Sequence, residues 1–387
     1  MILRATRPWM SLTLALGLAF AASASAQTYT VVDLGSLGTL DTFAFSVSDS
    51  TRIAGYSYVY LGPGLGYTRH GFLWQNGTML DLGLLPGGTY SWATDINEAG
   101  QMSGHADNGS VDGHPILVKD GIMQDLLWPV AHGGEARGIN DLTQIAGYSV
   151  DSSYLIHAAF WSQSTGYQDL TALTYAAQGM AEDLNNHTQV IGWSLSAPCG
   201  GPNGLQSSRA TMWENPGTGW VATDLGTLGS DCFSDAFGIN QAGHVVGNSG
   251  AFITTAALWQ KSASGAWTIT SLGSLGSGGT STAYRINNRE QIVGESQSAA
   301  WGDYHAILWQ CGSMIDLNTR IPAGSGWVLN AATGINDLGE IVGYGKLNGG
   351  NYRGFLLKPS TTACCGLTAV AVGVPVGEEE GVPVRNP

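Results

Sequence analysis

Glu135 and Asp235 hold corresponding places in two copies of a repeated sequence unit. A pair of carboxyl groups is what glycosidic bond cleavage needs, about 5 Å apart for retention of configuration and roughly 6.5–9.5 Å for inversion. Sequence gives no separation, and solvated surface acids are the commoner arrangement, so no residue is assigned as catalytic and these two stand only as candidates. A second set is aromatic and polar. Tyr56, His105, Tyr148, Trp193, Asn248, Glu295 and Tyr344 each follow the same recurring glycine. Aromatic plates stack on the C–H faces of sugars while amides and carboxylates take hydroxyl hydrogen bonds, so these seven are the candidate ligand-binding residues. Packing between neighbouring structural units is their alternative role.

Four histidines, His70, His114, His157 and His305, each open an equivalent segment in a different unit. Zinc needs ligands converging within about 2 Å of one ion, and one histidine per unit spreads them apart, so no metal site and no cofactor is expected. No Gly-x-Ser-x-Gly elbow, His-Glu-x-x-His helix or phosphate-cradling loop occurs, which leaves serine-nucleophile, zincin and nucleotide chemistry without support. Cys199 and Cys232 fall on one side of the same unit and are expected to form a disulfide, provided their Cα atoms lie within about 7 Å. Cys311 would pair with Cys364 or Cys365, which sequence leaves open.

These residues need positioning, and the repeats supply it. The phrase Ile-Asn, a turn, Gln, two apolar residues and Gly ends at Gly104, Gly147, Gly192, Gly247, Gly294 and Gly343, with a degenerate copy ending at Gly55. The spacing of 43 to 55 residues suits four short strands per unit, the blade of a β-propeller. The first strand is the Ala-x-x-Ile segment, the second ends near the glycine, the third is the His-Ala-x-x-Trp segment and the fourth is Asp-Leu-Gly. The seventh unit lacks its fourth strand, while Tyr29 to Gly35 is an orphan of that type. A seven-bladed all-β propeller of four-stranded antiparallel blades, closed by the N-terminal strand completing the last blade, is therefore expected. The segments Tyr58 to Arg69 and Leu195 to Ser208 read as long loops on the face that carries the aromatic set, where binding sites tend to lie.

With 56 glycines, 11% charged residues and a formal charge of −14, the composition favours short strands and tight turns and disfavours nucleic acid as a partner. Arg4 and Arg7, an apolar run and Ala24-Ser25-Ala26 form the layout of a secretory signal cleaved before Gln27. The expected division is signal peptide over 1–26, propeller over 27–360, and a disordered Gly/Val/Pro-rich tail over 361–387. The mature chain should be a secreted monomer, periplasmic or extracellular, with no membrane span.

His70-Gly71-Phe72-Leu73-Trp74, His157-Ala158-Ala159-Phe160-Trp161, His305-Ala306-Ile307-Leu308-Trp309, Asp33-Leu34-Gly35 and Asp224-Leu225-Gly226 together resemble the HAF repeat of bacterial exported proteins. The resemblance covers about residues 28 to 358 and implies an exported repeat protein, not a reaction. Arg209, Thr255 and Arg353 replace the histidine, and Val118 and Leu357 the tryptophan. The leading functional expectation is a binding propeller for a glycan or an extracellular protein. A polysaccharide hydrolase or lyase and a purely structural surface-display protein are the alternatives.

Overall fold

The computed structural model describes residues 27–109, 113–129, 131–173, 178–199, 205–250, 253–300 and 302–360; the side chains of 197–199, 205 and 206 are outside that description. The expected signal peptide and tail lie outside the described residues, as do Cys364, Cys365 and the side chain of Cys199 on which the disulfides depend.

Seven four-stranded antiparallel sheets form the described chain. Six are simple meanders, blade 1 for example running Thr42–Val47, Ile53–Gly62, Gly66–Gln75 and Thr78–Asp81. Blade 7 uses Trp327–Ile335, Ile341–Leu347 and Tyr352–Pro359, and its fourth strand is the N-terminal Tyr29–Asp33, antiparallel to Tyr352–Pro359 with Tyr29 opposite Pro359. The ring is therefore closed by both ends of the described chain, and no strand edge of an open stack is left over between first and last blades. Tyr29 is 2% exposed and packs with Phe355, Leu329 and Leu357 in the cluster joining blades 6 and 7. Comparable clusters fill every other gap between blades, as with Ile191, Met212 and Trp259 between blades 4 and 5.

Each first strand is innermost, and each contains a β-bulge immediately after its alanine. The bulge explains the recurring glycine of the second strand. A Cβ on Gly147 would press into the carbonyl of Glu135, and one on Gly247 into that of Asp235. Only a residue without a side chain fits there.

Two expectations are corrected by the strand boundaries. Tyr58 to Arg69 is not a loop but an extended hairpin of strands Ile53–Gly62 and Gly66–Gln75, and 195–199 and 205–208 likewise continue the paired strands Val190–Cys199 and Leu205–Glu214. In the first, Tyr58, Val59 and Tyr60 pair with Arg69, Thr68 and Tyr67, so residues of high strand propensity extend the ladder to a short glycine turn. The fourth strand also ends earlier than expected, at the aspartate of Asp-Leu-Gly. Asp81 Oδ1 accepts the Gly83 N–H at 2.7 Å and Asp224 Oδ1 accepts the Gly226 N–H at 2.8 Å, making an aspartate turn that leads into the next blade.

At one end of the axis the turns between first and second strands lock the blades together. Asn185 Nδ2 donates to Asn240 O at 3.1 Å, Asn240 to Asn287 O at 3.2 Å and Asn287 to Asn336 O at 2.9 Å, and the pattern runs from Asn97 round to Ser48. One residue further on, a second ring is complete. The N–H of Asp49 donates to Glu98, that of Glu98 to Asp141, and so on through Asn186, Gln241, Asn288 and Asp337 back to Asp49, at 2.6 to 3.0 Å.

Candidate functional site

A bulge turns the side chain of its extra residue out of the normal alternation. Here the seven extra residues are Phe45, Thr94, Arg137, Glu182, Phe237, Tyr284 and Thr333, one from each first strand, and all of them line a single axial pocket of about 440 Å³. The mouth of the pocket adds Tyr56, Arg69, Trp92, Glu135 and Tyr344, and Arg285 stands at its base. Three arginines and two glutamates thus face a cavity walled largely by aromatic rings.

The charges are held by one another. Arg137 Nη1 lies 3.1 Å from Glu135 Oε2, and its Nε contacts Glu182, so one guanidinium bridges two buried carboxylates. Trp92 Nε1 donates to the other oxygen of Glu135 at 2.8 Å. Burial opposes the charge of Arg137, but Glu182 and Glu135 outweigh it and its pKa is raised. Burial also dominates at Glu182, raising its carboxyl despite Arg137. Below them Arg285 Nη1 is 3.8 Å from Asp183, which burial pushes up to about 7 against the pull of that arginine. Asp183 also accepts the N–H groups of Leu184 and Ile239, at 2.8 and 3.2 Å.

Trp92 is sandwiched. His105 stacks on it with ring centroids 4.2 Å apart and planes 10° apart, and the Arg69 guanidinium carbon lies 4.5 Å from its ring centroid. Arg69 also reaches the rings of Tyr56 and Tyr90, at 5.8 and 5.7 Å. The opposite end of the axis has the reverse charge. Its recess holds Asp49, Asp95, Glu98, Asp141, Asp183 and Asp337 against Arg285 alone.

Of the seven residues expected to bind ligand, Tyr56 and Tyr344 line the pocket. The other five are not among its lining residues, although all seven lie on second strands opposite first-strand residues: Tyr56 opposite Phe43, Tyr344 opposite Ala331, His105 opposite Trp92, Tyr148 opposite Glu135, Trp193 opposite Met180, Asn248 opposite Asp235 and Glu295 opposite Thr282. Three of these five contact first-strand residues of the inner wall. His105 Nδ1 lies 2.7 Å from the Gly134 carbonyl, and burial depresses its pKa. Burial first, and Glu135 second, push the Tyr148 hydroxyl up to about 12, and burial raises the Glu295 carboxyl against a hydrogen bond from Tyr284.

Glu135 lines the mouth, whereas Asp235 is not among the lining residues; burial raises its carboxyl and the Ser208 hydroxyl bonds to it. The histidines each meet an aspartate of their own blade: His70 with Asp81 at 2.9 Å, His114 with Asp125 at 3.4 Å, His157 with Asp151 at 3.1 Å and His305 with Asp316 at 2.7 Å. Among the described residues no three His, Cys, Asp or Glu side chains gather to hold a metal, and no helix is long and apolar enough to cross a membrane.

These buried acids set a pH dependence. Glu182, Asp183, Asp235 and Glu295 all bind protons more tightly when folded than in the unfolded chain, where carboxyls titrate near 4. Between pH 4 and 7 the folded state therefore holds more protons, and stability falls as pH rises through that window. His105, with its depressed pKa, opposes this only below about 6.5. The melting temperature is expected to be higher at pH 5 than at pH 8, reflecting a difference on the order of 2 kcal/mol. A differential scanning series that rose toward pH 8 would contradict the assignment.

No protein-family model and no curated protein sequence matches the chain. Among solved structures, the β-propeller domain of the Trilobed protease from Pyrococcus furiosus, described as having an open velcro topology, is similar at 9% identity and a TM-score of 0.53, over 84% of this chain and 99% of that one. A gluconolactonase from Xanthomonas campestris (12% identity, TM-score 0.39, 84% and 99% covered) and the BP39L lectin from Burkholderia pseudomallei (10%, 0.39, 84% and 97%) also align. The protease-domain likeness bears on fold alone, and the fold is a β-propeller.

Proposed function

We propose that this chain is an exported carbohydrate-binding propeller whose ligand sits at the mouth of the axial pocket. The observation that carries the reading is the combination in one cavity of about 440 Å³ of aromatic walls with charged groups fixed by hydrogen bonds. Tyr56, Tyr344, Phe45 and Tyr284 offer ring surface for sugar C–H faces, and Arg69 offers N–H donors for ligand oxygens. The signal-like residues 1–26 and the HAF-like repeats support export. Recovery of protein beginning at Gln27 from outside the cytoplasm would test that part.

A binding role is favoured over polysaccharide cleavage because the acids proposed for catalysis are engaged elsewhere. Glu135 accepts from Trp92 and Arg137, and Asp235 from Ser208 outside the pocket lining. On a glycan array the purified protein is expected to bind, Tyr344→Ala is expected to lose at least tenfold in affinity, and Trp193→Ala, on an equivalent strand but outside the pocket lining, is expected to keep it. A chain that binds no printed glycan, or a Tyr344→Ala variant that binds as well as the parent, overturns the reading.

A further inference from the structure

Resting on the carbohydrate reading, we propose that the ligand is an acidic sugar chain, with one unit's carboxylate clamped by Arg69 at the pocket mouth and the next unit laid on Tyr60 and Tyr67 of the projecting hairpin. Arginine is the residue best suited to a planar carboxylate, which it meets through two parallel N–H donors. The other pocket arginines are committed, Arg137 to Glu135 and Glu182 and Arg285 near Asp183. Arg69 instead lies against Trp92, Tyr90 and Tyr56, and among the described residues it has no carboxylate within ion-pair distance. One of its N–H groups bonds to the Tyr56 hydroxyl, and a guanidinium with five N–H donors resting on aromatic faces still has donors to turn toward a ligand in the cavity that it lines.

The chain is acidic as a whole, but exposed charges beyond about 8 Å are screened at physiological ionic strength, so the local excess of arginine decides. The direction of the ligand follows from strand register. Tyr58 is opposite Arg69 and Tyr60 opposite Tyr67, so these four share one face of the hairpin. That face also holds Tyr56 at the pocket mouth and leads two residues outward to the tip. Tyr60 and Tyr67 are 50% and 51% exposed with ring centroids 5.0 Å apart, a paired and half-exposed aromatic surface.

Calorimetric titration of the purified protein with uronic-acid tetramers, galacturonate, glucuronate and mannuronate, beside their carboxyl-reduced neutral counterparts, tests this. At least one acidic tetramer is expected to bind about tenfold or more tightly than its neutral counterpart. Arg69→Gln should abolish that preference and Arg69→Lys retain part of it, with melting temperatures unchanged. Tyr60→Ala with Tyr67→Ala should weaken the tetramer and leave the monomeric uronate unaffected. Neutral tetramers binding as well as every acidic one would overturn the acidic ligand and leave the carbohydrate reading standing. Failure of all tetramers, together with a blank glycan array, would remove the reading itself.

Discussion

Replacing Arg137 with methionine is expected to destabilise the protein by about 3–5 kcal/mol at pH 8, because it strands two buried carboxylates in one step. Arg137 is the cation that Glu135 and Glu182 share, and both acids are largely removed from water, at 7% and 6% exposure. The loss should shrink at pH 5, since burial raises the Glu182 pKa even with Arg137 in place and the carboxyl takes up a proton more readily without that partner. Adding Glu135→Gln and Glu182→Gln to Arg137→Met should recover most of the stability, as neutral amides need no counter-ion. Urea unfolding at the two pH values reads all of this. An equal loss at pH 5 and pH 8 would mean that Arg137 acts by filling space.

The second large effect is expected at the closing strand. Tyr29→Ala removes a side chain that is 2% exposed from the cluster joining blades 6 and 7, at a cost of roughly 3–5 kcal/mol. It also loosens the strand that covers the edge of Tyr352–Pro359, so the variant should aggregate on heating. Tyr29→Phe should behave oppositely. The hydroxyl is buried without a hydrogen-bond partner among the described residues, and burial raises its pKa, so its removal is expected to be neutral or to stabilise by up to about 1 kcal/mol. Melting curves of the two variants distinguish packing from hydroxyl chemistry, and a Phe variant as unstable as the Ala variant would refute the account.

Seven blades and their closure were legible because each unit carries its own copy of the same spacing, and because one strand was missing at one end and spare at the other. The inner wall was harder to see. Residues such as Arg137 and Glu182 occupy the unspecified places in Ala-x-x-Ile, which carry no repeated residue type to set them beside the aromatic residues after the glycine. A signal was present in parity: Ala136 and Ile139 are both buried though three apart, which a regular strand cannot arrange without a bulge. Arg69 was hidden for another reason. The glycines of its segment suggest a loop, whereas Gly62 and Gly66 confine the turn and let the strands run on. The sign reversal between the two ends of the axis was not legible either, since it depends on which carboxylates the turns bring together.

The complete ring of hydrogen bonds from Asp49 through Asp337 and back bears on how the protein comes apart. A linear array of repeats can fray, because its terminal units have one neighbour and melt ahead of the rest. Here each blade donates to the next and accepts from the one before, so no unit is terminal. The first interface to open must break the circle without releasing any blade from both neighbours, which makes partial melting costly and places all seven blades in one cooperative transition.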